Sequence, residues 1–301
     1  MNTQYVLLTA AKDEGSFIGD VITSVLQQSV LPTAWFIIDD GSSDGTAAIV
    51  ERMVAEHPFI RLQSTSSRGG RNFGSKDKAI MAAYRLAESL EFGFVSVLDA
   101  DTTLERNDYY ESLIAEFDRN PRLGIAGGYI YERRRGVWEV RPGNSEDSLA
   151  GSGILFCRAC FDEIGGYAEL CYGGADWLVQ LDAKMAGWGT MTRPDLRVFH
   201  YRPTSSAGGM WRGMFRDGLM DASFGSDPVF EFFKCGRRGM TRPLGGLVRF
   251  GGYLWWNLTG RKPLIHAEKV AFLRKEQRAK LLKWTLRFGR ERTWNRSPLS
   301  S

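Results

Sequence analysis

The sequence predicts an α/β fold, a mainly parallel sheet flanked by helices, followed by a basic helical extension. Three observations carry this expectation. Short apolar runs alternate with segments of helical periodicity through the first hundred or so residues, the pattern of a parallel sheet with helices on both faces. Two of those runs, Trp35-Phe36-Ile37-Ile38 and Phe94-Val95-Ser96-Val97-Leu98, end directly in Asp39-Asp40 and Asp99-Ala100-Asp101. Carboxylates there stand where open α/β sheets collect their ligands. Finally, Arg261 to Ser301 holds twelve Lys or Arg against three Glu, about +9, in a chain whose net charge is +4.

Each element has its own signal. Tyr5 to Ala10 form the first strand. Ser16 is placed to cap a helix whose apolar positions Phe17, Ile18, Val21, Ile22, Val25 and Leu26 recur at helical spacing. Pro32 closes this unit ahead of strand 35–38. Asp44 is placed to cap the next helix, with Ala47, Val50, Met53 and Val54 inward and His57-Pro58 ending it. A short strand over 59–62 leads to a Gly- and Arg-rich loop over 66–74. The following helix turns Ala79, Ile80, Ala83, Leu86, Ala87 and Leu90 inward, ahead of strand 94–98.

Beyond Asp101 the rhythm loosens. A helix over 108–118 stops at Asn120-Pro121, a strand runs over 124–131, and Arg133 to Gly136 read as a hairpin turn or loop. Gly151-Ser152-Gly153 precedes strand 154–156, and Gly165-Gly166-Tyr167 is a turn. Asp176 opens a helix ending near Gly187, and 196–200 is the last strand. Past Pro203 the pattern is helical and basic.

Composition narrows the class. An apolar fraction of 43% and a charged fraction of 25% are those of a globular protein, with room for one large core and an appended subdomain. The opening residues lack the basic and apolar stretches of a signal peptide, and no run of about 18 apolar residues is present. Leu244 to Leu258 comes nearest and is broken by Arg249. Four cysteines, two of them in Cys157-x-x-Cys160, fit a reducing cytoplasm and burial as small hydrophobes rather than a zinc site.

Asp99-Ala100-Asp101 after a strand can offer one carboxylate to a divalent cation and another to a ribose; a plain polar turn is the alternative. Taken together, Thr9-Ala10-Ala11-Lys12-Asp13-Glu14, Ile38-Asp39-Asp40-Gly41-Ser42-Ser43-Asp44-Gly45-Thr46 and Asp99-Ala100-Asp101 resemble, in order and spacing, family 2 of the inverting glycosyltransferases. The resemblance continues through Gly165-Gly166-Tyr167, Gly174-Ala175-Asp176-Trp177 and Gly187-Trp188, over roughly residues 4–203. It implies the Rossmann-like GT-A fold, with a catalytic domain over 1–205 and an extension over 206–301. The catalytic domain divides into a nucleotide-binding half, 1–103, and an acceptor half, 104–205.

The resemblance also implies roles. Asp40 would accept from the nucleobase imino N–H, Thr9 and Glu14 would line the nucleoside pocket, and Asp99 with Ala100 would lie against the donor's ribose. Asp101 would bind Mg²⁺ or Mn²⁺ bridging the diphosphate of a UDP, GDP or dTDP sugar, and His200 would add a metal or diphosphate contact. Asp176 falls at the general base, where a helix N-cap is the structural alternative. Trp177 and Trp188 are candidates for stacking on an acceptor sugar or for the core. Lys76 and Lys78, with Arg68 and Arg71, read first as a solvated face, with approach to the diphosphate as the alternative. The absence of a following Gln-x-x-Arg-Trp argues against a processive polysaccharide synthase.

The implied activity is metal-dependent, inverting transfer of a sugar to a glycan or lipid-linked hydroxyl in envelope polysaccharide synthesis. A sugar-phosphate nucleotidyltransferase would show a Gly-rich, Arg-bearing signature after the first strand, which is absent here. A non-catalytic nucleotide-sugar-binding module would not need Asp176. In the extension, aromatic clusters around Trp211, Phe230 to Phe233 and Tyr253 to Trp256 sit among Lys and Arg, which suits an anionic membrane interface. Packing against the rest of the chain is the alternative, and no nucleic-acid-binding motif is present. The expectation is a cytoplasmic protein, peripheral on the inner face of the cell membrane.

Overall fold

The structure, a computed structural model, describes residues 2–65, 73–134, 136–141, 144, 149, 151–202, 209–239 and 243–294. It divides into two compact units, Met1–Thr204 and Ser205–Ser301.

The first unit opens as β1 (Tyr5–Ala11), α1 (Ile18–Leu26), β2 (Ala34–Asp39), α2 (Thr46–Glu56), β3 (Ile60–Ser64), α3 (Phe73–Ala87) and β4 (Phe94–Val97). It continues with β5 (Thr102–Leu104), α4 (Tyr109–Arg119), β6 (Leu123–Arg134), β7 (Val137–Val140), β8 (Ile154–Cys157), α5 (Arg158–Ile164), α6 (Ala175–Met185) and β9 (Gly189–His200). One sheet orders them β3-β2-β1-β4-β8-β6-β9-β5, with β7 attached to β6. Strands β1 to β4 pair in parallel, as do β6 and β9, while β5, β7 and β8 run the other way. Every residue of β2 and β4 is buried, as expected of strands covered on both faces. Their side chains meet those of α1 and α4 in one core around Trp35, Phe94, Tyr109, Tyr110 and Phe117.

Several expectations need correction. Ser16 does not cap α1; the Glu14 carbonyl accepts the Phe17 and Ile18 N–H groups instead, each at 2.9 Å. The backbone can do this because Asp13 takes a left-handed turn at φ 51°. Leu86 is 43% exposed and Tyr84 takes the inward place, since Leu86 falls at the edge of the Ile80, Ala83, Ala87 stripe. Leu90 lies past the end of α3. Strand β5 and helix α5 carried no signal, being too short to show a period. The hairpin at Arg133 to Gly136 is a two-residue connection, with Arg134 opposite Val137 and Gly136 at φ 85°; Arg135 lies outside the described residues. So do Arg68 and Arg71.

Strand β9 begins at Gly189, well before the expected 196, and its register on β6 shifts. Gly128 pairs with Arg193, but the next residue, Tyr129, pairs with Arg197. At the shift, a Cβ on Gly128 would lie 2.1 Å from the Leu196 carbonyl oxygen, so only glycine permits the approach.

The second unit holds α7 (Met210–Ser223), α8 (Pro228–Gly239), α9 (Pro243–Leu258) and α10 (Ala267–Trp294). Glycines bring α7 and α9 together: a Cβ on Gly218 would meet the Arg249 carbonyl oxygen at 1.9 Å, and one on Gly252 the Phe215 carbonyl oxygen at 2.2 Å. No helix among the described residues is long and apolar enough to cross a membrane.

Candidate active site

The loop after β2 locks the segment after β1. Ser42 Oγ accepts from the Asp13 N–H at 2.9 Å, Thr46 Oγ1 from Glu14 at 2.8 Å and Asp44 Oδ2 from Gly15 at 2.8 Å. Asp44 Oδ1 also accepts from the Thr46 N–H at 3.1 Å, opening α2 as expected of a capping aspartate although Gly45 holds the formal cap position. The Asp-Asp-Gly-Ser-Ser-Asp-Gly-Thr run is therefore a clamp as much as a binding loop. Within it, Asp40 Oδ1 accepts from Thr65 Oγ1 at 3.1 Å, and Lys12 Nζ lies 3.9 Å from Asp40 Oδ2. Thr9 is fully buried, its hydroxyl accepting from the Trp35 indole N–H at 2.9 Å.

At the end of β4 three ligand-type groups converge. Asp99, Asp101 and His200 present oxygen or nitrogen atoms that all lie within 4.8 Å of one another. Antiparallel pairing of Thr102 with His200, and the Tyr201 N–H donating to the Asp101 carbonyl at 3.1 Å, bring β9 to the Asp99-Ala100-Asp101 turn. His200 Nε2 is 3.3 Å from Asp101 Oδ1, and Arg202 Nε donates to Asp101 Oδ2 at 2.9 Å. The same guanidinium pairs with Glu14. Burial opposes the charge on Asp101, yet His200 and Arg202 hold its carboxyl well below the usual carboxylate range. Ala100 is buried in the core.

Lys76 faces this cluster, with Nζ 2.7 Å from Asp99 Oδ1, whereas Lys78 is exposed. Burial works against the Lys76 ammonium, but Asp99, then Asp176 and Asp77, push its pKa up to about 12. Lys76 thus remains 38% exposed but pairs with Asp99, which favours its approach to the cluster over a purely solvated face. Its neighbour Asp77 is buried and accepts weakly from the Leu170 N–H at 3.4 Å. Burial raises Asp77 to about 7; Lys76 and that N–H oppose the shift, and Asp176 and Asp99 add to it.

Asp176 stands in the first turn of α6, after two left-handed glycines, Gly173 and Gly174, at φ 87° and 92°. Gly174 holds the cap position, and Asp176 Oδ1 accepts from the next N–H, Trp177, at 3.0 Å within the first turn. Gln180 ties the start of α6 to Leu149, accepting from its N–H at 3.0 Å and donating to its carbonyl at 3.1 Å. Trp188 is half-buried, with Nε1 donating to Glu163 at 2.8 Å.

A family model described as Glycosyl transferase family 2 matches residues 7–165, more than half of the 301-residue chain. The chain belongs to glycosyl transferase family 2. Among curated relatives of this family 2 member, the poly-beta-1,6-N-acetyl-D-glucosamine synthase of Staphylococcus epidermidis is 31% identical over 121 residues, which are 40% of this chain and 27% of that protein. The corresponding synthase of Staphylococcus aureus is 29% identical over the same length. The chain therefore spans about a quarter of the length of these relatives. Solved structures share its GT-A fold. The mannosyltransferase PcManGT from Pyrobaculum calidifontis, in complex with GDP-Man and Mn²⁺, matches at TM-score 0.56 and 15% identity, over 94% of this chain and 83% of its own. Residues 1–349 of S. aureus TarS in complex with UDP-GlcNAc match at TM-score 0.55 and 16% identity, over 74% and 67%.

Two residues of this family 2 site escaped sequence reading. Arg202 lies two positions past His200, where only the knowledge that β9 ends against Asp101 singles it out. Asp77 sits on the apolar stripe of α3 between Phe73 and Ile80. A carboxylate on a buried stripe was the available signal.

Proposed function

We propose that this chain transfers a sugar from a nucleoside diphosphate donor to a hydroxyl of a glycan or lipid-linked acceptor, with inversion. The reading is carried by one observation: Asp99, Asp101 and His200 converge within 4.8 Å beside a lysine that also senses Asp176. Two carboxylates and an imidazole are a donor set that Mn²⁺ or Mg²⁺ accepts. Among the described residues His200 Nδ1 is buried without a hydrogen-bond partner, which fits an imidazole available for coordination. Asp101 Oδ1, Asp99 and His200 would hold the cation, which when bound would neutralise charge on the leaving diphosphate.

The chain's own residues do the rest. Asp40 accepts from the nucleobase beside Glu14, and Asp99 lies against the ribose, while Thr9 and Ala100, both buried, support the pocket from behind. Asp176 takes the proton of the attacking hydroxyl as its oxygen bonds to the anomeric carbon and the bond to the diphosphate oxygen breaks. Attack opposite the leaving group inverts the centre. Lys76 adds a fixed positive charge where the departing phosphate gathers negative charge.

Solved neighbours hold UDP-GlcNAc or GDP-Man, and the relatives are named polysaccharide synthases, so a sugar nucleotide donor and polysaccharide synthesis are the supported classes. The missing Gln-x-x-Arg-Trp favours single additions. We assign residues 1–205 to catalysis and 206–301 to a seat on the anionic, cytoplasmic face of a membrane.

Calorimetric titration of UDP- and GDP-sugars with and without Mn²⁺ tests this reading. Asp101→Ala is expected to abolish the metal-dependent part of binding, and unchanged binding would sink the assignment. Asp176→Asn is expected to keep donor affinity and lose transfer by about a hundredfold or more. A fully active Asp176→Asn enzyme removes Asp176 as the base.

A further inference from the structure

Helices α8 and α9 are built inside out. A helix at a water-facing surface buries its apolar stripe and turns its charges outward. Here Glu231, Lys234 and Arg249 point inward. Arg249 is buried, with Nη2 2.5 Å from Asp221 and Nη1 2.9 Å from Asp217. Lys234 Nζ lies 2.8 Å from Asp221 and 3.1 Å from Glu231, which is fully buried. Outward stand Phe232 and Phe233 of α8 and Leu244, Leu247, Leu254 and Leu258 of α9, with Leu247 69% and Leu258 84% exposed.

These side chains make one surface. The leucines recur at the spacing of a single helical face. Phe250 bridges to α8, with its ring 5.9 Å from Phe232, and Phe233 lies 5.7 Å from Phe232. A contiguous apolar face of this kind marks an interaction site.

Charge identifies the partner. From Pro228 to His266 the single acidic residue is Glu231, and it is buried, while Arg237, Arg238, Arg261 and Lys262 are exposed. Arg261 lies 4.6 Å over the Trp255 ring and 5.3 Å over that of Trp256, at the end of the leucine face. Cations stacked on tryptophans at an apolar border match the headgroup level of a bilayer. With 16 residues, α9 is about 24 Å long, short of the roughly 30 Å hydrocarbon core, so it lies along the interface.

Helix α10 is less suited to this role, because some of its basic groups are used inside the second unit. Arg274 Nε donates to the Gly225 carbonyl at 2.7 Å and Arg278 Nε to Asp227 at 2.9 Å, while Leu273 and Gln277 are buried.

We propose that the α8–α9 face is a monotopic seat in an anionic lipid bilayer, with its leucines and phenylalanines entering the acyl boundary and the flanking cations meeting lipid phosphates. This deepens the membrane reading above and rests on it.

The test is co-sedimentation of the full chain with phosphatidylcholine vesicles, with and without phosphatidylglycerol. Wild type is expected to bind the anionic vesicles, to stay bound in high salt, and to show tryptophan quenching by brominated acyl chains. Leu247→Glu, Leu254→Glu and Leu258→Glu together are expected to lower partitioning about tenfold or more, while Lys275→Glu, Lys280→Glu and Lys283→Glu leave it within about twofold. The reverse pattern makes α10 the anchor and overturns the seat alone. No binding by wild type overturns the membrane reading as a whole. A lipid-free dimer that the leucine variants split, with no vesicle binding by any form, assigns the face to a second copy and overturns the proposal.

Discussion

An added Cβ at Gly151 would lie 2.5 Å from Asp176 Oδ2 and 3.0 Å from Asp176 Cβ, so alanine there must push that carboxylate aside. Side chains yield more easily than backbone, so Gly151→Ala should leave stability nearly intact. Transfer is expected to fall by about ten- to a hundredfold at unchanged donor affinity, compared by single-turnover rates and calorimetry. Asp77 yields a pH prediction. Burial raises its folded pKa to about 7, above its unfolded value, so the unfolded chain loses this proton first as pH rises. Its contribution is present in acid and is lost as pH climbs toward 7. Asp77→Asn should therefore stabilise the protein by about 1–3 kcal/mol at pH 8 and change little near pH 4, read from urea unfolding at both values. An equal difference at the two pH values would exclude the titration. At this scale the aspartates were legible because strand ends and D-x-D spacing announce them. Arg202 was not, and Lys76 only as the second of two alternatives, because their places depend on which carboxylates fold against them.

The strands β1, β2 and β4 were readable as unbroken apolar runs, and α1 and α2 by their period. What failed was short or locally ambiguous: three residues of β5, seven of α5, and the first half of β9, where Pro194 and Asp195 interrupt the alternation. The close packing of α7 on α9 was equally hidden, because a glycine inside a helix looks like a weak point in sequence. In the fold it is the contact itself. Gly218→Ala would drive a methyl group into the Arg249 carbonyl, where neither backbone can give way. We expect a loss of about 1–3 kcal/mol or more in chemical denaturation, against a gain of about 0.5–1 kcal/mol for Gly236→Ala inside α8, where an added Cβ meets nothing within 4 Å.

For the whole molecule, the mean hydropathy of −0.26 is that of an ordinary globular protein and conceals how its second unit distributes apolar and charged groups. The basic excess of residues 261–301 was legible from composition, whereas the leucine face emerged only with burial, since sequence does not say which side of α9 is covered. Ligand linkage gives a global test of the donor reading. A sugar nucleotide with Mn²⁺ at about a hundred times its dissociation constant should stabilise the native chain by about 2.7 kcal/mol, seen as a rise in Tm that Asp101→Ala lacks. The register shift in β9 has an arithmetical consequence. Before it, odd-numbered Met191 packs on the core opposite Ala126; after it, even-numbered Leu196 and Val198 do, with Val198 opposite Ile130. Four steps on β9 are matched by one on β6, and the surplus of three, being odd, exchanges the two faces of the strand. His200 inherits the parity of Val198. Removing all three of residues 194–196 would make the pairing continuous and leave His200 opposite Glu132, on the face it already occupies.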